Sequence, residues 1–89
     1  QRSVGDIVFQ TRRSLKWMQQ ALGASGLTMK DIVKTTTFVR SMDDTNAIIE
    51  VKREFFPYGD VTSTTVAVSG FVGIWDIEIE GIAVFPDGK

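Results

Sequence analysis

The chain has 89 residues, fewer than an average domain, so the sequence predicts one compact unit spanning residues 1–89. The sequence contains ten Lys and Arg residues and eleven Asp and Glu residues. The resulting net charge of -1 gives no electrostatic reason to expect binding to nucleic acid or to an anionic membrane. There is no Cys and no His, which excludes disulfides, thiol nucleophiles, Cys/His zinc sites and imidazole catalysis.

The composition, 43% hydrophobic and 24% charged, is that of an ordinary globular protein. No apolar run is long enough to span a membrane, and the first residues contain no apolar signal core, so we expect a cytoplasmic protein. Two Trp and six Phe residues are many for so small a chain. Because small domains bury a modest share of their surface, these residues favour self-association.

The first half of the chain alternates between helical and strand-like patterns. Gly26 is expected to end the first helix in a left-handed conformation, and 28–31 should form a capped turn. The run 32–40, rich in β-branched residues, predicts a strand buried on both faces. The helical stripe before Gly26 consists of Val8, Leu15, Met18 and Leu22.

The second half predicts a helix over 45–56, with Asp43 and Asp44 as candidate N-caps and Pro57 at its end. A turn at 58–60 should lead into a strand over 61–68. After a glycine-containing loop at 69–73, a long strand should occupy 74–85. The order helix, strand, helix, strand, strand indicates an α/β or α+β layer structure.

The last predicted strand separates polar from apolar side chains because successive residues point to opposite faces. One face carries Asp76, Glu78, Glu80, Ile82 and Val84. The other face carries Trp75, Ile77, Ile79, Ala83 and Phe85. The mixed face suits a contact between subunits with a polar pocket at its edge, and the apolar face suits packing against the helices.

These segments, in order, resemble the RidA (YjgF) family of small imine and enamine deaminases. The resemblance covers most of the chain, and its specificity comes from the ordered set, since no single short motif is specific. The matching segments are Gln10-Thr11-Arg12-Arg13-Ser14-Leu15, Ser25-Gly26-Leu27, Asp31-Ile32-Val33-Lys34-Thr35-Thr36, Phe55-Phe56-Pro57, Ile77-Glu78-Ile79-Glu80 and Ile82-Ala83-Val84.

The resemblance implies an α+β fold, a two-layer sandwich in which a mixed β-sheet packs against two helices in the chorismate mutase-like manner. It also implies a homotrimer with ligand sites between neighbouring subunits. In the family, a pair of strands precedes the first helix, whereas this sequence begins almost at the helix. We therefore expect the opening strands of the family to be missing from this chain.

The chemistry that the resemblance implies is hydrolysis of a 2-imino acid to a 2-oxo acid and ammonia, with no metal and no cofactor. An arginine holds the substrate carboxylate, and a strand glutamate that matches Glu78 positions the attacking water. The alternative for Glu78 is an exposed strand edge or an intersubunit ion pair. Glu80 is interpreted as structural.

The segment 61–64 departs from the family, whose active members carry Pro-Ala-Arg-Ser there. Ser63 replaces the arginine, and losing a charged donor should cost about 1.5–3 kcal/mol of carboxylate binding. Ser63 and Thr65 remain candidate substrate-binding residues, although β-propensity alone explains both equally well. Ile49 stands where relatives often have asparagine, and Arg40 is a candidate substitute anchor.

Two hypotheses follow for the function. The first is a RidA-like deaminase with altered or weakened carboxylate recognition. The second is a non-catalytic trimeric protein of the same fold that binds a small metabolite or a partner. Some family members have been described as ribonucleases or translation inhibitors, but an acidic chain without His gives that function little physical support.

Overall fold

Two helices and three strands make up the part of the chain that the computed structural model describes, which is residues 4–57, 61–70 and 76–85. The predicted turn at 58–60, part of the predicted loop and the start of the last predicted strand lie outside these residues. The elements are α1 (Val4–Ala24), β1 (Ile32–Val39), α2 (Thr45–Phe55), β2 (Thr62–Ala67) and β3 (Ile77–Ala83).

Helix α1 buries a narrow stripe that includes a threonine. Ile7, Thr11 and Leu15 recur every four residues, and each is fully buried. The Thr11 hydroxyl donates a 2.7 Å hydrogen bond to the Ile7 carbonyl, so its burial leaves no polar atom without a partner. Gly26, with a φ of 77°, confirms the predicted left-handed stop. The helix begins earlier than the apolar pattern from Val8 predicted.

The turn before β1 and the start of α2 are capped in different ways. The backbone N–H of Thr28 donates to Asp31 Oδ2 over 2.8 Å, as predicted for the first turn. Asp44 occupies the N-cap position of α2, as predicted, but its side chain makes no capping hydrogen bond. A short 3₁₀ turn precedes the helix, and the Ser41 hydroxyl accepts from the Asp43 N–H over 3.2 Å at its start.

The three strands form a mixed sheet in the order β2-β1-β3. Strand β1 is central, parallel to β2 and antiparallel to β3. Parallel neighbours require a crossover, and α2 lies in the connection from β1 to β2. The mixed sheet with two helices confirms the predicted α+β class. No helix in the described ranges is long and apolar enough to cross a membrane.

The hydrophobic core lies between the helices and one face of the sheet. Two clusters of buried residues fill it, one at each end of the central strand. The first comprises Ile7, Val39, Ile48 and Ile77, and the second comprises Leu15, Met29, Ile32 and Val51. Both helices contribute to these clusters, so α1 and α2 share the covered face of the sheet.

Gly81 allows α1 to approach the covered face of β3 closely. A Cβ atom at this position would lie 3.2 Å from both Cε and Sδ of Met18 on α1. Such a distance is shorter than an ordinary van der Waals contact, so the absence of a side chain at Gly81 makes room for Met18. Gly81 interrupts the strand pattern of β3 for a packing reason.

The opposite face of the sheet, called the open face, is not covered by either helix. The prediction that β1 is buried on both faces was wrong for the single chain, since Thr35, Thr37 and Val39 are buried while Thr36 and Phe38 are half-buried. The error arose because β-branched residues favour a strand without specifying how many layers cover it. The open face carries Thr36, Phe38, Thr64, Val66, Glu78, Glu80 and Ile82.

Replacing Ile48 with Ala should lower the free energy of unfolding by about 2–5 kcal/mol, because the truncated side chain leaves a cavity in the core. Ile48 is 2% exposed, whereas its neighbour Ile49 is 41% exposed. Ile49→Ala is therefore the matched control and should change the free energy of unfolding by about 0.5 kcal/mol at most. Urea unfolding measures both, and equal losses would contradict the packing of α2.

Candidate functional site

The three predicted site residues lie on two faces of the sheet. Ser63 and Thr65 pair with buried residues of β1 and therefore point toward the helices. Glu78 pairs with Phe38 and lies on the open face, where it is exposed. Because β1 lies between β2 and β3, one chain does not bring Glu78 together with the other two. Their proposed roles remain predictions.

A lysine that sequence reasoning missed lies against Ser63. Lys52 is on α2, one helical turn after the buried Ile48, and its side chain reaches the sheet. Its Nζ donates to Thr37 Oγ1 over 2.5 Å and to Ser63 Oγ over 3.2 Å. The signal in the sequence was its position: Lys52 follows Val51 on the apolar stripe of α2, where a solvated charge is not expected.

Burial lowers the pKa of the Lys52 ammonium below its ordinary value of 10.5. Desolvation is the only cause, since a buried charge loses the stabilisation that water provides. The partners of Lys52 are two neutral hydroxyl groups. Ion pairs join Arg12 to Glu54 and Arg40 to Asp76, whereas no carboxylate of the described residues lies within 4.0 Å of Lys52.

A cavity of about 170 Å³ adjoins Lys52, and we call it the Lys52 cavity. Its described lining contains two cationic side chains, those of Lys52 and Arg53, and no acidic one. Neutral polar groups come from the sheet, and apolar side chains form the rest of the wall. The lining residues are Thr35, Ile49, Lys52, Arg53, Phe56, Val61 and Ser63.

Ser63 has a hydroxyl whose acceptor positions are occupied by protein groups. Its Oγ accepts from Lys52 Nζ over 3.2 Å and from Thr35 Oγ1 over 3.4 Å. A serine hydroxyl has two acceptor lone pairs and one O–H donor. These contacts leave the O–H of Ser63 as the group that can donate to a molecule in the cavity.

Arg40, the sequence-based candidate for a substitute anchor, lies elsewhere. It follows the end of β1, about five residues or 17 Å along the strand direction from Thr35 in the wall of the Lys52 cavity. Its Nε contacts Asp76 Oδ1 at 3.1 Å. Gln10 also donates to the Asp76 carboxylate, over 3.1 Å, so Arg40 belongs to a polar cluster with Asp76. Nothing in this placement supports an anchoring role for Arg40.

A larger groove of about 480 Å³ runs along the exposed side of α1 but contains none of the predicted site residues. Two of its three basic side chains are engaged with neighbours: Arg12 pairs with Glu54 at 2.7 Å, and the Arg13 guanidinium lies 4.3 Å from the centre of the Trp17 ring. Trp17 is 54% exposed, so it is not part of the core of the chain. We favour the smaller Lys52 cavity because it contains a desolvated charge.

The described residues provide no group of three or more acidic side chains that could bind a metal ion. The arrangement at the Lys52 cavity can instead bind a small molecule through one ammonium group and one hydroxyl group. Apolar side chains of Ile49, Phe56 and Val61 would contact the rest of such a molecule. The site therefore has the chemistry of a pocket for a small anion with an apolar part.

Fold and site together define a two-layer α+β protein with a small, mostly apolar pocket that holds a lysine, between a helix and an edge of its sheet. Residues 2–85 match the family model described as Endoribonuclease L-PSP. The chain belongs to this family, in which the RidA (YjgF) proteins are found, and the family resemblance seen in the sequence is confirmed.

The relatives with informative names match nearly the whole chain. A 2-iminobutanoate/2-iminopropanoate deaminase of Dermatophagoides farinae is 34% identical, over 90% of this chain and 62% of the relative. Rv2704 of Mycobacterium tuberculosis, a member of the YjgF/YER057c/UK114 family, superimposes with a TM-score of 0.85 at 29% identity, over 89% of this chain and 68% of that one.

The structure of Escherichia coli TdcF with bound serine gives a TM-score of 0.82 at 32% identity, over 90% of this chain and 65% of TdcF. The first curated relatives are longer than this chain, which spans 61–63% of their lengths. The whole-protein activity of those relatives therefore enters below as a proposal.

The lowered pKa of Lys52 should make the stability of the fold depend on pH. Between the folded pKa and the unfolded value of 10.5, the unfolded chain binds more protons than the folded one. The free energy of unfolding therefore rises with pH across this window, and the penalty of the buried charge is fully present below it. Relative to Lys52→Met, the wild-type chain should gain stability as the pH increases toward 10.5.

Urea unfolding of both proteins between neutral pH and pH 10.5 measures this difference. Lys16→Met is the matched control, since Lys16 is exposed on α1 and its removal should leave the pH dependence unchanged. If the free energy of unfolding of the wild type, minus that of Lys52→Met, stays constant or decreases with increasing pH, the assignment of Lys52 as a desolvated ammonium is contradicted.

Proposed function

We propose that this chain belongs to a RidA-like protein that hydrolyses small 2-imino acids to 2-oxo acids and ammonia. The observation that carries the proposal is the 34% identity with a 2-iminobutanoate/2-iminopropanoate deaminase across 90% of this chain. The reaction requires no metal and no cofactor. It is also within reach of the side chains available, since carboxylate, hydroxyl and ammonium groups suffice for it.

The reaction consists of an addition and an elimination. Water adds to the imine carbon, its oxygen forming the new C–O bond while the nitrogen gains a proton. The resulting carbinolamine then forms the C=O group of the 2-oxo acid, and the C–N bond breaks to release ammonia. Glu78 would accept a proton from the attacking water and return it to the departing nitrogen, a role that requires a carboxylate near the imine carbon.

A complete site would require two subunits. Glu78 lies on the open face, whereas Ser63 and Thr65 point toward the helices of the same chain. In a homotrimer, the open face of one subunit can pack beside the β2 edge of the next, which would bring Glu78 to a neighbour's cavity. Exposed apolar side chains on the open face, Ile82 at 55% and Val66 at 40%, support such an interface.

A second candidate function is binding of a small metabolite without turnover. What favours it is Ser63, since the family resemblance implies an arginine at this position in active members, so carboxylate recognition would be altered or weakened. A solved relative, TdcF, is described with bound serine, an amino acid with a carboxylate group. Saturable binding of such a ligand without accelerated imine hydrolysis would favour this function over the first.

Glu78→Gln should reduce the acceleration of imine hydrolysis about 10²–10⁴-fold, because the amide cannot accept a proton from water. The assay generates 2-aminoacrylate enzymatically and follows ammonia release above the rate in buffer. Glu80→Gln is the matched control, since Glu80 is two residues away on the same strand face and is proposed to be structural. Wild-type release at the buffer rate would overturn the proposed reaction, and equal rates in wild type and Glu78→Gln would overturn the role of Glu78.

Ile82→Glu should shift the proposed trimer toward monomers. The substitution removes an apolar contact and adds a third carboxylate to the face that already carries Glu78 and Glu80. Light scattering measures the mass, with Gln19→Glu as the control because Gln19 is exposed on α1. A wild-type monomer, or an Ile82→Glu trimer of unchanged stability to dilution, would contradict packing through the open face.

A further inference from the structure

Lys52 carries a half-buried positive charge that no carboxylate of the described residues neutralises. A charge taken out of water is normally paired with an opposite charge, because hydroxyl partners alone replace little of the lost hydration. The Nζ of Lys52 contacts Thr37 and Ser63, and no carboxylate of the described residues lies within 4.0 Å of it. An anion in the adjoining cavity would supply the missing compensation.

The hydrogen-bond donors at this point are not all used within the protein. A lysine ammonium has three N–H donors, and the contacts with Thr37 and Ser63 account for two. No acceptor among the described residues is recorded for the third N–H donor of Lys52, which is therefore available to a ligand. The O–H of Ser63 is available as well, because Ser63 Oγ accepts from both Lys52 and Thr35. Two donors whose heavy atoms are 3.2 Å apart can serve the two oxygens of one carboxylate.

The cavity restricts the size and the chemistry of the anion. Its volume of about 170 Å³ equals the space of about six water molecules in the liquid, which suits a molecule with a few carbon atoms. Arg53 adds a second positive charge to the wall, and the described lining has no negative one. Ile49 and Phe56 offer apolar contacts to a short alkyl group. These features favour a small anion with an apolar part, and a short aliphatic carboxylate has both.

We propose that Lys52 and Ser63 form the binding site for the substrate carboxylate, with Lys52 supplying the positive charge and Ser63 a second donor. The inference deepens the proposed function and rests on it for the identity of the substrate, a 2-imino acid with a short aliphatic side chain. The positive charge comes from helix α2, and the strand position 63 contributes a neutral donor.

The probes are 2-oxobutanoate, which carries the carboxylate, and 2-oxobutanamide, which has nearly the same shape without the charge. Isothermal titration calorimetry should show that the wild-type chain binds the acid about tenfold or more tightly than the amide. In Lys52→Met, the affinity for the acid should fall about tenfold or more, while the affinity for the amide changes about twofold or less. A general loss of structure would weaken the binding of both ligands and leave the ratio of their affinities unchanged.

Two further variants test whether charge at this place is the cause. Lys52→Arg should retain the preference for the acid, because the charge stays on α2. The double variant Lys52→Met/Ser63→Arg should recover it, since the charge is then supplied from β2. Lys16→Met, which removes an exposed lysine of α1, should bind both probes as the wild type does. Failure of both charged variants to prefer the acid would overturn the proposal.

A measurement on the wild-type chain covers the case in which Lys52→Met does not fold. An NMR titration of the Lys52 ammonium should show that 2-oxobutanoate raises its pKa, since a bound anion stabilises the charged form. Equal affinity for the two probes, or a Lys52 pKa unchanged by saturating 2-oxobutanoate, would overturn the proposal. These are binding measurements, so imine hydrolysis with no preference for the acid would refute this site alone. Selective binding with no hydrolysis would refute only the proposed reaction.

Discussion

The helices of this chain cover one face of its sheet, and most of its other properties depend on that constraint. Side chains alternate along each strand, so covering one face buries Thr35, Thr37 and Val39 and leaves Glu78 and Ile82 exposed. The same division sends Ser63 toward α2. A pocket that forms under α2 therefore does not include Glu78 of the same chain, which is why the proposed reaction calls for a second subunit.

Much of the fold could be predicted from the sequence because its signals are local. The left-handed Gly26, the end of α2 before Pro57 and the two faces of β3 each depend on residues a few positions apart. The wrong predictions concern features that depend on packing between distant parts of the chain. The β-branched residues of β1 predict a strand, but whether a second layer covers Thr36 depends on elements far along the chain. The start of α2 at Thr45 was predicted correctly, but the Asp44 side chain makes no capping hydrogen bond, and the Ser41 hydroxyl instead caps the 3₁₀ turn that precedes the helix.

The candidate site could be predicted in part for the same reason. Ser63 was found through its place in a family motif, without any knowledge of its neighbours. Lys52 was missed because its contacts with Ser63 and Thr37 join residues 11 and 15 positions apart, across the crossover from β1 to β2. Most lysines are solvated, so the residue type pointed away from burial. Only the position of Lys52 beside Val51 on the apolar stripe indicated otherwise.

In the proposed carboxylate site the positive charge would come from a helix, where the family resemblance implies an arginine on a strand, and this would change what the site recognises. An arginine presents a planar fork that fixes both oxygens of a carboxylate, whereas an ammonium is a compact charge whose donors rotate freely. In the proposed site, Lys52 would therefore attract an anion but orient it weakly by itself. A second hydrogen bond, from another donor, is needed to fix the orientation of the carboxylate. The Ser63 hydroxyl can donate it, because Ser63 Oγ accepts from Lys52 and Thr35. Since Lys52 also holds that hydroxyl in place, the two residues should act as one unit, and the effects of replacing them should not be additive.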